Sequence, residues 1–343
     1  MSIQSFADQP LEGFTYGSVN APTGKEWESP ENLALNKEQP HAYFFPFQHL
    51  DNARKVLPEN SKYWQSLDGD WKFHWAPDPD SRPKDFYQTE YDVSSWDAIP
   101  VPSSWNIYGI QKDGSQKYGT PIYVNQPVIF QHSVKVDDWR GGVMRTPPAN
   151  WTTYKDRNEV GSFRRDFEIP QDWDGREVFI SFDGVDSFFY LWINGQYVGF
   201  SKNSRNTANF NITPYLQKGK NTVAAEVYRS SDGSFLEAQD MFRLPGIFRT
   251  VALYSVPKVH FRDLVATPDL DATYTDGSLT VNAEIRNLDK KAIKDYKVYY
   301  SLYANKLYSD ENTLVDGFLS PVIDKIAPNE TGSVQTVLKV KAP

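Results

Sequence analysis

Cysteine is absent from the 343 residues, which removes disulfide staples, thiolate zinc sites and cysteine nucleophiles at one stroke. The compartment stays open, because redox chemistry leaves no trace to read. Long apolar runs are missing as well: nowhere do about eighteen apolar residues follow one another, the length a membrane span requires. The opening stretch "MSIQSFADQPLEGFTYGSVNAPTGKEWESP" has no apolar centre of the secretory kind, so no signal peptide is visible. A cytoplasmic or periplasmic protein without a membrane partner is expected. Positive charge is also scarce, with 36 Lys and Arg against 44 Asp and Glu and a net charge of -8. Such a chain offers no overall basic field to nucleic acid, and no nucleic-acid partner is expected.

Chemistry-bearing spacings are equally sparse. The five histidines, His41, His49, His74, His132 and His260, form neither an H-x-H nor an H-x-x-x-H pair, which argues against a zinc centre. No G-x-S-x-G, phosphate-binding loop or G-x-G-x-x-G occurs. Acyl transfer, nucleotide hydrolysis and dinucleotide redox therefore lack support.

What is present is aromatic: 10 Trp, 20 Tyr and 21 Phe make 15% of the chain. Aromatics fill β-sheet cores, and some stack on sugar rings; composition alone leaves both roles open. The strand signal is strong. "REVFISFDG" and "SFFYLWINGQYVGFS" are rich in β-branched and aromatic residues. The second carries Asn194-Gly195, a pair that tolerates positive φ at both central positions of a type I′ hairpin turn. "NTVAAEVYRS" and "GIFRTVALYSV" continue the pattern, and "ITPYLQ" offers one short helical turn. Many short strands between turn residues predict an all-β chain whose first sandwich is of the jelly-roll kind.

Near Val256-Pro257 the texture changes. "GSLTVNAEIRN" alternates strictly, with Leu279, Val281, Ala283 and Ile285 on one face. Strands at this spacing predict a small immunoglobulin-like sandwich over residues 258–343, after a jelly-roll domain over 51–257 and an extended arm over 1–50. The chain ends directly after its last predicted strand, an edge expected of a domain within a longer protein. Residues between Tyr123 and Phe163 read as one irregular segment, and loops beyond about fifteen residues tend to be functional or interface elements.

The densest cluster of charge is "SDGSFLEAQDMFRLPGIFR", Ser231 to Arg249, holding Asp232, Glu237, Asp240, Arg243 and Arg249. Glycoside hydrolysis needs two carboxyl groups on opposite sides of the scissile bond, about 5 Å apart for retention and roughly 6.5 to 9.5 Å for inversion. Glu237 and Asp240 could meet such a distance. Both, however, lie along one turn of backbone, with no room for a sugar between them. Arginines in the same stretch can form bidentate pairs with carboxylates. A structural loop held by ion pairs is the better reading, and direct catalysis is the alternative.

Five segments carry a family likeness: "YWQSLDGDWKFHW", "IPVPSSWNIYGI", "YGTPIYVN", "ISFDGVDSFFYLWINGQYVGFSKNSR" and "RSSDGSFLEAQDMFRLPGIFR". In this order they resemble the front of bacterial β-galactosidases of glycoside hydrolase family 2. The resemblance implies a jelly-roll sugar-binding domain and an immunoglobulin-like domain, followed in the parent enzyme by a TIM barrel beyond Pro343. That barrel would carry both catalytic glutamates and the magnesium ligands. It implies retaining hydrolysis of terminal β-linked galactose by the parent, a β-galactoside as substrate, a homo-oligomer of two or four subunits, and no turnover by this chain alone. β-Glucuronidases and β-mannosidases share the same first two domains.

The resemblance also places site residues. An aspartate of the family's G-[YF]-x-x-D-S-R segment contacts the sugar and a sodium ion. "GFSKNSR" puts Asn203 there, and an amide brings a carbonyl but no formal charge. A second contact, an asparagine of a V-N-P-P segment, aligns with Thr146 in "RTPPANW". No catalytic residue is expected within this chain, and Asp232, Glu237, Asp240 and Arg243 are expected to build a structural loop beside the barrel. The alternatives to the enzyme-portion reading are a free-standing carbohydrate-binding module and an assembly module without sugar contact.

Overall fold

The computed structural model describes residues 21–24, 26–28, 32–121, 158–237, 242–306 and 312–343. Thr146 and Asp240 lie outside these described residues, as does most of the segment between Tyr123 and Phe163. The described residues fall into two compact units, 21–39 with 45–255 and 40–44 with 256–343.

Strands dominate both units. In the first they are β1 (Ala34–Leu35), β2 (Trp64–Ser66), β3 (Gly69–Ala76), β4 (Asp97–Val101), β5 (Val160–Glu168), β6 (Glu177–Phe182), β7 (Val185–Asp186), β8 (Phe188–Ile193), β9 (Gln196–Ser201), β10 (Ala208–Asn211), β11 (Lys220–Tyr228), β12 (Gly246–Ile247) and β13 (Val251–Val256). The larger sheet runs β1-β9-β8-β11-β5-β3-β4 and is antiparallel throughout. A second sheet, β10-β6-β13-β2, packs on it. This is the jelly-roll sandwich. Asn194 and Gly195 have φ of 51° and 76°, so the predicted type I′ turn joins β8 to β9. The expected helical turn is a 3-10 helix, Thr213–Tyr215.

All six residues of β8 are buried, because the larger sheet is covered on both faces. Phe189, Leu191 and Ile193 belong to the core between the sheets. Phe188, Tyr190 and Trp192 belong to a second aromatic layer with Trp27, Phe86, Phe200 and Tyr228. Many of the aromatics counted in the sequence are therefore structural. Two carboxylates meet that second layer, Glu226 buried and Glu26 half-buried. Glu226 accepts from Arg82 Nε at 2.9 Å and from the Tyr228 hydroxyl at 2.8 Å, and Glu26 accepts from the Tyr190 hydroxyl. Burial raises the Glu226 carboxyl above its ordinary value.

Trp27 is buried and stacks on Tyr228 with centroids 5.5 Å apart, and β1 adds an edge strand to β9. The reason is local: Gly199 lacks a Cβ, which would collide with the Leu35 carbonyl.

β5 starts at Val160, inside the stretch expected to be irregular. "RRD" hides it, because charges interrupt the apolar pattern. Arg164 is nevertheless buried, since its guanidinium donates to the carbonyls of Phe86, Gln88, Thr89 and Tyr91.

The second unit contains β14 (Val259–Leu270), β15 (Asp276–Asn287), β16 (Ile293–Tyr296), β17 (Tyr299–Asn305), β18 (Asn312–Leu319), β19 (Ile323–Ile326) and β20 (Glu330–Lys341). They pair as β14-β15-β20, β16-β19 and β17-β18, the smaller immunoglobulin-like sandwich. Val281, Ala283 and Ile285 are buried as the alternation requires.

Candidate functional site

β9 ends at Ser201, and the chain turns through Lys202, Asn203, Ser204 and Arg205 before β10. Asn203 has φ of 79°, a left-handed conformation that asparagine tolerates better than most residues because its short polar side chain is compatible with it. Its neighbours point the other way. Lys202 and Ser204 are buried while Asn203 is exposed.

Each neighbour meets an acid. Lys202 Nζ lies 2.7 Å from Asp232 Oδ1, and both side chains are over nine-tenths buried. Ser204 donates its main-chain N–H to Glu237 Oε1 at 2.7 Å and its hydroxyl to Glu237 Oε2 at 2.6 Å. Arg205 Nη2 is 3.6 Å from Asp186 Oδ2, and the Ser204 hydroxyl is 3.3 Å from Asp186 Oδ1. The two segments singled out in the sequence, "GFSKNSR" and "SDGSFLEAQDMFR", thus form one structure around Asn203.

The base of the second segment is fixed by short polar contacts. Ser187, Ser231 and Ser234 share hydroxyl hydrogen bonds of 3.1 and 3.2 Å. Ser234–Glu237 forms a single helical turn, which aims Glu237 at Ser204. The Asp232 N–H donates to the Trp27 carbonyl at 2.8 Å.

Below this turn lies a small cleft lined by Asp186, Arg205, Arg229, Ser230, Glu237 and Arg243, among others. Burial pushes the Asp186 carboxyl up to about 6; Arg205 and the Ser204 hydroxyl oppose the rise, and the nearby Glu237 charge adds to it. Burial also lowers the Arg243 guanidinium, and Arg229 adds to that by repulsion. Arg229 is held from behind by an ion pair with Glu159, both side chains being about fully buried. Glu159 Oε2 in turn accepts from Trp105 Nε1 at 3.0 Å.

Asp186 Oδ1 and Glu237 Oε2 lie 3.3 and 2.6 Å from the same Ser204 hydroxyl oxygen, so the two carboxyls converge on one side chain. Asp232 and Glu237 take their partners from residues 202–204, whereas the sequence suggested the arginines of the same stretch. Arg249 donates to the carbonyls of Asp183 and Arg205.

Asp186, Lys202, Ser204, Arg205 and Arg229 were not recognised from sequence. Asp186 had one legible signal, a lone acid between "FDGV" and "SFFYLWI", where an unpartnered charge would be costly.

Asn203 offers a cation one amide oxygen, whereas hard cations take several oxygen ligands. Among the described residues no group of three or more His, Asp or Glu side chains could hold a metal ion. Among the described residues no helix is long and apolar enough to cross a membrane.

The fold is an all-β chain whose first unit is a two-sheet sandwich. The model of the sugar binding domain of glycosyl hydrolases family 2 matches residues 64–257. The chain is 41% identical over 279 residues to a β-galactosidase of Priestia megaterium, which covers 81% of this chain and 25% of that protein. It is 34% identical over 295 residues to the β-galactosidase large subunit of Lactobacillus helveticus, covering 81% and 43%. Among solved structures, Bacteroides uniformis β-glucuronidase is similar with a TM-score of 0.57 and 19% identity, covering 82% of this chain and 28% of that one. The chain belongs to glycosyl hydrolases family 2. It spans about a quarter of the length of the Priestia relative.

Proposed function

We propose that the chain is the non-catalytic front portion of a retaining β-galactosidase, supplying scaffold and a sugar-side contact through Asn203. The observation that carries this reading is the 41% identity to a β-galactosidase of which the chain covers a quarter. The site geometry supports it, because Glu237 holds the Ser204 N–H and hydroxyl with its two oxygens. In the complete enzyme the remaining polypeptide carries the two carboxyl groups that retention needs, and the parent assembles as a homo-oligomer.

Turnover tests the proposal. The 343-residue chain leaves a nitrophenyl β-galactoside intact, while the complete enzyme hydrolyses it and releases galactose first as the β-anomer, seen by proton NMR. Turnover by the chain alone, or an α-anomer as first product from the complete enzyme, would sink this reading. The match to a sugar binding domain favours one second reading, a carbohydrate-binding module that acts alone. Calorimetric titration of the chain with galactose separates the two, since a free-standing module binds at or below millimolar concentration.

A further inference from the structure

We infer that Glu237 and Asp232 are positioning residues for Asn203, holding the turn that presents it as a rigid cradle. The inference rests on the proposed sugar contact of Asn203 and adds the machinery that makes the contact possible.

Asn203 stands in the left-handed region, from which an unrestrained asparagine readily leaves, because the ordinary extended and helical regions are favoured for it as well. Its side chain is exposed, so burial does not hold it against that change. The flanking residues supply the restraint. On the N-terminal side, Lys202 is fixed twice: its N–H donates to the Leu33 carbonyl at 3.1 Å, and its ammonium reaches Asp232 in a buried ion pair. On the C-terminal side, Glu237 takes both the main-chain N–H and the hydroxyl of Ser204. Two-point acceptance fixes the Ser204 peptide plane as well as its side chain, and that plane sets ψ of Asn203. A carboxylate is the acceptor suited to this task, since its two oxygens lie in one plane and its hydrogen bonds are stronger than neutral ones.

The acids are themselves anchored. The Asp232 N–H is bonded to the Trp27 carbonyl, and Trp27 is wedged against Tyr228. Glu237 sits on the turn whose first residue, Ser234, bonds Ser187. The cradle therefore joins β9, the 231–237 loop and the N-terminal strap, all within the first unit. A single asparagine hydrogen bond to a sugar hydroxyl loses much of its worth if the amide must be ordered on each binding event.

A double-mutant cycle in the complete enzyme tests this. Asn203→Ala lowers kcat/KM for a β-galactoside by about tenfold, the size of one hydrogen bond to a polar ligand. Glu237→Ala does the same through Asn203, so the double variant falls by about tenfold rather than about a hundredfold. Glu237→Gln keeps one acceptor for Ser204 and recovers most of the loss. Amide hydrogen exchange follows the cradle directly: Ser204 N–H protection drops in Glu237→Ala and stays in Asn203→Ala. Multiplicative losses, or Ser204 protection unchanged in Glu237→Ala, would overturn the inference. If Asn203→Ala leaves kcat/KM untouched, the sugar contact falls, and the cradle stands or falls on the exchange of Ser204. Should Glu237→Ala not fold, Ser204→Ala removes the hydroxyl arm alone and is carried through the same cycle.

Discussion

Ser204 is bound to both oxygens of Glu237, at 2.7 Å through its N–H and 2.6 Å through its hydroxyl. A carboxylate so engaged is a poor proton shuttle, because both of its oxygens are held by one fixed partner. In the complete enzyme, Glu237→Gln is expected to lose about tenfold or less in kcat, whereas loss of an essential proton-transfer group costs on the order of 10⁴-fold. Steady-state kinetics on a nitrophenyl β-galactoside decide between the two; the larger loss would restore Glu237 as a catalytic acid or base.

Asp186 gives a signature in stability. Burial raises its carboxyl to about 6 from an ordinary value of 3.8, and its side chain is 14% exposed. The folded state therefore holds this proton where the unfolded chain has released it. This group's contribution to stability is fully present below about pH 4, is lost as pH rises through the interval from 3.8 to about 6, and is flat above it, the reverse of an ordinary salt-bridged acid. Asp186→Asn keeps a carbonyl for Ser204 and removes the titration. The variant should gain on the wild type across this interval, reaching up to about 3 kcal/mol near neutrality. Denaturant melts at pH 4, 5, 6 and 7 measure the difference; a gap that narrows with rising pH would refute the assignment.

How far this was legible in the sequence depends on the range of the interactions. The Asn194-Gly195 turn and the alternation of β15 are local patterns, and both are present in the structure. β5 was lost because Arg164, Arg165 and Asp166 break its apolar pattern, and only the carbonyls of residues 86–91 make Arg164 a buried residue. The second aromatic layer was illegible for the same reason, since Trp27 meets Tyr228 across most of the first unit. Asn203 was singled out through resemblance, and the structure places it at a left-handed turn position. Its supports were not found: Ser204 and Glu237 are 33 residues apart, and no periodicity links a turn to a loop at such a distance.

Arg229 and Glu159 form a buried pair behind the cleft, with side-chain exposures of 1% and 2%. Removing one partner leaves the other charged in a site with little water. Arg229→Met should cost about 3 to 5 kcal/mol in the first unit, the range for a broken buried ion pair. Replacing both, with Glu159→Gln added, should recover part of that loss, because the amide still accepts from Trp105. Urea melts of the single and double variants give the numbers; a single variant within about 0.5 kcal/mol of wild type would place it among ordinary surface changes and contradict this burial.

Gly199 links the N-terminal strap to the candidate site. A Cβ there meets the Leu35 carbonyl and approaches Asn36, so Gly199→Ala forces β1 away from β9. Four contacts depend on that approach: the pairs Ala34 with Ser201 and Leu35 with Phe200, the Asn36 amide on the Val198 carbonyl at 2.7 Å, and the Lys202 N–H on the Leu33 carbonyl at 3.1 Å. The clash is backbone against Cβ, which rotamer changes cannot relieve, and the expected cost is about 1 to 3 kcal/mol. Displacing the strap also frees the main chain of Lys202, one residue before Asn203. Gly199→Ala should therefore raise amide exchange at Lys202 and speed proteolytic cleavage within residues 32–38, while the aromatic core residues of β8 keep their protection. If Lys202 exchange is unchanged while global stability falls, the strap does not support the turn that carries Asn203, and the loss reflects strain within β9 alone.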